Sequence, residues 1–368
     1  MYLLSISFIY PISLLIIMED NIRCDDVTQV SMVCRWHRGL SVRGQYAVGE
    51  FEVPIMTFEN TVNIAVRRGL KVTKLSGGIE TIVDRDCMTR APLLTAVSEE
   101  SACEIFDYVL NQTAEVKRVV ESTTRFGKFI SVEPVVCNSD IYLRLMMSCG
   151  DAAGHNMAGK AATALCVYLQ GRFPGLQYTA LSSNYCTDKK PALVNLEKGR
   201  GKSVHATAVI PRGIVEFHLK STPERIVDLN YKKNVVGSRL AGTLGGQNSH
   251  HVNIIAAMYL ATGQDLANIG EGQLGSTYAK VTYSGDLEFS VICPNLIVGT
   301  VGGGTCLNHS SYVLERLGCY GGGNPPGSHA KKLAELIGAS VLAGELSTMA
   351  ELTRPVEFIK SHEKYERT

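Results

Sequence analysis

The chain has 368 residues, 45% of them apolar and 19% charged, and a formal net charge of +1. That length suits two domains or one large domain with an insertion, and the apolar share excludes a disordered polymer. The near-neutral balance argues against a nucleic-acid partner or a broad membrane-surface field.

From the N-terminus, Tyr2 to Met18 carries no charge, lacks a basic n-region and is broken by Pro11. Residues 1–18 read as an apolar leader, with a packed segment or an upstream start codon expected ahead of a membrane anchor. Tyr46, Val48, Phe51 and Val53 predict a strand pair around Gly49. Val62, Ala65 and Val66 predict a helix over 59–75, with Arg67, Arg68, Lys71 and Lys74 toward its C-terminal end.

Residues 92–179 read as a compact unit. A strand near 88–94 precedes a helix over 98–120, and the strands "GKFISVEPVV" and "DIYLRLMMSC" meet at Cys137-Asn138-Ser139. A glycine-rich turn then feeds a second helix, and a strand near "QYTALS" follows. The order β-α-β-β-α-β is the ferredoxin-like arrangement. Beyond it, "SHHVNIIAAMYLATGQD" predicts a buried helix with Ser249 as N-cap, and "SHAKKLAELIGASVLAGELSTMAEL" predicts a long helix with Ser328 as N-cap. Between them "PNLIVGTVGGGT" predicts a strand entering a glycine loop, and the expected fold class is α+β.

Eleven scattered cysteines form no C-x-x-C pair. Neither a zinc ribbon nor a thioredoxin-type centre is expected, no metal is expected, and the reading is reduced thiols in a cytoplasmic protein. "GRGKS" looks like a phosphate loop, but the glycine that such a loop needs five residues before its last glycine is Leu196. No G-x-G-x-x-G follows a strand. "GDAAGHNM" and "GTVGGGT" remain as loops whose backbone could approach an anion or a neighbouring helix, with Asp151 as an N-cap or a ligand contact. The ionisable candidates are Glu59, Asp188, Lys189, Lys190, Lys233, His250, Asp265 and His362. A lysine set beside a glutamate and an aspartate would shift the others' proton affinities, as acid–base chemistry requires.

In chain order, "MTRAP", "GDAAGHNM", "NYCTDKKPA" with "GRGKSV", "NVVGSRLAGTLGGQNSHHVNI", "GQD", "PNLIVGTVGGGT" and "LAGELS" resemble the 3-hydroxy-3-methylglutaryl-coenzyme A (HMG-CoA) reductase family over about 90–352. The resemblance implies a large helix-rich CoA- and substrate-binding domain, residues 19–91 and 180–368, interrupted by a small NAD(P)-binding domain, residues 92–179. It implies reduction of the HMG-CoA thioester to mevalonate and CoA with two NADPH, NADH being the alternative, and a homodimer or higher homo-oligomer with shared sites.

It further implies Lys189 as oxyanion donor, Glu59 as general acid, Asp265 close to both, and His362 as proton donor to the departing thiolate. Arg90, Ser182, Asp188, Lys190, Lys233, His250 and Asn253 become substrate contacts. Thr124, Arg125, Asp151, Ala152, Gly154, Asn156 and Met157 become nucleotide contacts. The stretch "PIMTFENTVNIAVRRG" departs from the family pattern at Phe58, Asn60, Asn63 and Ala65, although Glu59 keeps its place. The alternative is therefore a catalytically altered homologue that binds a CoA ester or serves as a structural partner.

Overall fold

The computed structural model describes residues 31–366, so the apolar leader lies outside the described residues. The first hairpin pairs β1 (Cys34–Arg43) with β2 (Val48–Met56). Its turn falls at 44–47 rather than at Gly49, because the Glu335 carboxylate accepts the amides of Gln45, Tyr46 and Ala47 there.

Helix α1 (Asn60–Leu75) leads to β3 (Ile79–Arg90) and β4 (Leu93–Thr95). Next come α2 (Glu99–Asn111) and α3 (Thr113–Glu121). The predicted single helix over 98–120 is thus two. Ser98 caps the first by accepting from the Ser101 amide at 3.2 Å, and Gln112, with φ −102° and ψ 40°, leaves helical geometry between them. β5 (Lys128–Cys137) and β6 (Asp140–Ser148) follow, then α4 (His155–Arg172) and β7 (Gln177–Ala180). Around β6 the strands run β7-β4-β6-β5, each antiparallel to its neighbour. A separate apolar cluster that includes Leu94, Ile105, Leu143 and Leu165 fills this region.

β3 joins the two halves. Its end, Met88–Arg90, pairs with β6, while Glu80–Cys87 pairs with β8 (Gly201–Ile210), which follows α5 (Leu193–Lys198). The short helices α6 (Arg212–Ile214), α7 (Pro223–Leu229) and α8 (Ser238–Leu240) are interleaved with two π-helical stretches, and α9 (His251–Ala261) and α10 (Ile269–Gly272) follow. β9 (Ser276–Val281) and β10 (Leu287–Leu296) complete the sheet order β8-β10-β9. The chain then forms α11 (Asn308–Arg316), α12 (Ser328–Leu352) and α13 (Glu357–Glu366).

α12 organises the larger core. Every residue from Leu333 to Ala350 is buried, as expected of a helix that is apolar on all faces. Among the described residues it is the one helix long and apolar enough to cross a membrane, and its apolar window is buried inside the protein. It packs on α1, α9, β3, β8 and β10.

Gly69 lets α1 approach, since an added Cβ would lie 1.7 Å from the Ala343 carbonyl oxygen. Gly69→Ala is therefore expected to cost about 1–3 kcal/mol of stability. A fall in the urea midpoint measures this, and an unchanged midpoint would contradict the packing.

Neither predicted serine caps its helix. At α9 the Asn248 side chain accepts the His251 amide at 3.0 Å, while the Ser249 hydroxyl turns to the Met349 sulfur at 2.8 Å. At α12 Ser328 is the first helical residue, and the cap comes from far away. Asp151 Oδ2 accepts the amides of Gly323 and Gly327, each at 2.8 Å, and Oδ1 accepts that of Ala330 at 3.0 Å. A buried carboxylate at a helix N-terminus satisfies amides that would otherwise be orphaned.

Candidate active site

Two clefts hold about half of the sequence candidates, and they share no lining residue. The first, of about 380 Å³, is lined by Glu59, Lys233, His250, Asn253, Thr348, Phe358 and His362 among others. Glu59 is the N-cap residue of α1, with extended backbone and no capping bond of its own, so its side chain is left to the cleft. Its Oε1 accepts from the Thr61 hydroxyl at 3.0 Å and lies 3.9 Å from His362 Nε2. Its Oε2 accepts from Asn253 Nδ2 at 3.4 Å. His362 is anchored on α13, with Nδ1 2.8 Å from the Phe358 carbonyl oxygen and its ring 4.4 Å from the Phe358 ring.

The atypical residues beside Glu59 have structural work. Asn60 donates to the Tyr365 carbonyl at 3.2 Å, tying α1 to α13, and Asn63 Oδ1 lies 2.8 Å from His37 Nε2. Phe58 is 80% exposed and does not line the cleft. Ala65 does line it.

His250 is held from both ring nitrogens, by Glu345 Oε2 at 2.8 Å and the Thr348 hydroxyl at 2.7 Å. Glu345 also accepts the Ser249 and His250 amides and the Thr277 hydroxyl. Burial alone would discourage its ionisation, but these donors and the neighbouring imidazoles outweigh it and keep the carboxylate charged. Burial pushes the adjacent His251 down to about 4, so that ring is neutral.

The second cleft, of about 600 Å³, runs between two glycine loops. Ala152 bridges Val301, and the Thr300 amide donates to the Asp151 carbonyl at 2.7 Å. Gly299 permits this, because an added Cβ would lie 2.4 Å from the Ala153 nitrogen. Gly154 (φ +104°) starts α4, and Asn156 and Met157 line the cleft with Ala152 and Asp265. Thr124 reaches the Met157 sulfur at 3.5 Å and accepts the Phe126 and Gly127 amides, while the exposed Arg125 stacks on Phe126 at 5.7 Å. Asp151 caps α12 and does not line this cleft, but it lines a small adjoining pocket with Ala152, Met157 and Val301.

At the edge of this cleft, Lys189 Nζ lies 2.9 Å from Asp265 Oδ2. The hydrogen bond to Asp265 raises the lysine pKa above its ordinary range. On Asp265, burial raises the pKa, and the lysine pulls it below the usual carboxylate value. Asn184, Thr187 and Lys189 all have left-handed backbones, with φ of +64°, +59° and +59°. Each costs about 1–3 kcal/mol and persists only where the surroundings enforce it.

Asp188 is the hub behind them. Arg200 donates to its Oδ1 at 2.5 Å, His155 Nε2 lies 3.5 Å away, and Arg90 is 3.8 Å from Oδ2. Ser182 lies 3.0 Å from the Cys186 sulfur, and Lys190 donates to the Asp188 carbonyl at 3.1 Å. Within one chain, then, Lys189 meets Asp265, which lines the second cleft, and Glu59, His250, Asn253, Lys233 and His362 line the first.

Arg200, Glu271 and Glu345 carry no role in the sequence reading. For Glu345 a signal was available: a carboxylate inside an otherwise apolar helix must find partners. For Arg200 and Glu271, whose side chains are wholly buried, neighbouring residues give no such cue. Among the described residues no metal-binding cluster occurs and all ten cysteines are unbridged.

The family model described as hydroxymethylglutaryl-coenzyme A reductase matches residues 36–367. The 3-hydroxy-3-methylglutaryl-coenzyme A reductase of Pyrococcus horikoshii is 45% identical over 314 residues, 85% of this chain and 76% of the relative. That of Aeropyrum pernix is 43% identical over 325 residues, 88% and 76% of the two. The class II HMG-CoA reductase of Streptococcus pneumoniae, solved bound to NADPH in open conformations, superposes with a TM-score of 0.69 at 21% identity, covering 89% of this chain and 86% of that one. At that identity the likeness speaks to the fold.

Proposed function

The chain belongs to the hydroxymethylglutaryl-coenzyme A reductase family, and from that premise we propose that its two clefts together reduce HMG-CoA to mevalonate and CoA, with NADPH supplying two hydrides. The observation that carries this reading is the Lys189–Asp265 pair, 2.9 Å apart at the edge of a glycine-lined cleft.

Lys189 donates to the thioester oxygen and stabilises the oxyanion that forms as hydride arrives. The resulting hemithioacetal collapses to mevaldehyde and CoA thiolate. His362 protonates the thiolate, so that it cannot attack the aldehyde again. Glu59 acts as general acid in carbonyl reduction, steadied by Thr61 and Asn253. Arg90, Ser182, Asp188, Lys190, Lys233, His250 and Asn253 contact the substrate, and the basic members suit its carboxylate.

The glycine loops fit a dinucleotide. Their backbones leave room for close approach, and α4, 18 residues long, turns its N-terminal amides to the same cleft. Ala152, Gly154, Asn156, Met157 and Thr124 line or support that place, Asp151 braces it from behind, and Arg125 meets the 2′-phosphate that distinguishes NADPH from NADH. Residues 92–179 form the nucleotide domain, and residues 34–91 and 180–366, within the expected 19–91 and 180–368 segments, form the substrate domain. The strand order β7-β4-β6-β5 supports a ferredoxin-like insert. A basic groove lined by Arg67, Arg68, Lys71 and Lys74 suits the phosphates of CoA. The enzyme works in the cytoplasm.

Because Glu59 lines one cleft and Lys189 meets Asp265 at the edge of the other, a second copy of the chain completes each site. Co-expressed Lys189→Ala and Glu59→Gln chains, each inactive alone, are expected to regain about a quarter of wild-type activity, since half the dimers are mixed and each has one intact site. No recovery in mixed dimers confirmed by differential tagging would contradict the shared site.

A further inference from the structure

We propose that Glu271 is the positioning residue that sets Lys189 against Asp265, a role that rests on the reductase reading above. The side chain is wholly buried on α10 and touches both halves of the pair's support. Its Oε1 accepts the backbone N–H of Lys189 at 2.5 Å and Arg200 Nε at 3.1 Å. Its Oε2 accepts Asn268 Nδ2 at 3.4 Å.

Asn268 belongs to the Asp265 turn. Its amide donates to the Asp265 carbonyl at 3.0 Å, and Asp265 Oδ1 accepts the Ala267 amide at 3.0 Å. One carboxylate thus fastens the left-handed Lys189 from its main chain and the Asp265 turn from a side-chain amide.

Two neighbours complete the bracket. Gly270 leaves room for the lysine loop, because an added Cβ would lie 2.9 Å from the Lys189 carbonyl oxygen. Arg200, also wholly buried, spans from Glu271 to Asp188 at 2.5 Å, so the residue before Lys189 is held by the same network. Burial pushes the Glu271 pKa above the ordinary carboxylate value, and Arg200 and the Lys189 amide counter it only in part. The bond to the Lys189 amide ties this buried ion pair to the main chain that carries the ammonium. It points past stability to the placement of the ammonium.

The test compares wild type, Glu271→Gln and Gly270→Ala as full-length chains, with HMG-CoA and NADPH as probes. Both variants are expected to lose about 10²-fold in kcat through misplacement of the donor, with both KM values within about twofold of wild type. Both are also expected to move the alkaline limb of the kcat–pH profile to lower pH. The Asp265 hydrogen bond holds the Lys189 ammonium above the ordinary lysine range, and weakening it releases the proton earlier. A purely structural role would not move that limb. Gly270→Ala leaves the Arg200–Glu271 ion pair intact, so it reports even where Glu271→Gln folds poorly. Folded variants with unchanged kcat and an unchanged alkaline limb would overturn the role, as would a loss of kcat that only tracks the loss of folded protein. An inactive wild type would sink the reductase reading and this role with it, a result distinct from an active wild type with unaffected variants.

Discussion

Replacing Lys189 by alanine is expected to lower kcat for NADPH oxidation with HMG-CoA by about 10²–10³-fold, the usual cost of losing one preorganised oxyanion donor. The KM for NADPH should change little, because Lys189 contacts Asp265 at the edge of the second cleft and does not line it. The residue is held in a left-handed backbone (φ +59°) with its N–H bonded to Glu271. That constraint fixes the main chain from which the ammonium extends. Steady-state kinetics with each substrate varied would measure the effect. Turnover that survives the substitution would remove Lys189 from the chemistry.

The second large effect is expected at Glu59. Glu59→Gln keeps the shape, although its single amide oxygen can accept from only one of Thr61 and Asn253, and it cannot deliver a proton; general acid catalysis contributes about 10²–10⁴-fold. The loss should appear with HMG-CoA and also with mevaldehyde as substrate, because both carbonyl reductions need a proton. The carboxyl has the surroundings for this role. It stands at the mouth of α1 with His362 3.9 Å away and Asn253 3.4 Å away. The atypical Asn60 and Asn63 turn to Tyr365 and His37 and leave that carboxyl unobstructed. A Glu59→Gln enzyme with wild-type kcat on mevaldehyde would assign the proton to another group.

Much of this was legible in the sequence, and the division follows interaction range. Helices α1 and α12 are set by local sequence pattern, which is why they fall where the pattern puts them. Lys189 and Asp265 were legible through "NYCTDKK" and "GQD", and the structure brings them to 2.9 Å. What was not legible depends on partners far along the chain. The α12 cap comes from Asp151, more than 170 residues earlier, so a serine at the right local position was the wrong guess. Glu335 fixes the first hairpin turn from 288 to 290 residues away. Glu271 holds Lys189 across 82 residues, and no local propensity encodes that bond. The break at Gln112 is a local case, where Asn111 and Thr113 flank the residue that leaves helical geometry.

The central claim is a double hydride reduction of one thioester, and its most direct measurement is stoichiometric. Purified protein given HMG-CoA and excess NADPH, with free thiol and NADPH followed together, should oxidise roughly two NADPH for each CoA thiol released. One NADPH per thiol, or thiol release without oxidation, would contradict the account.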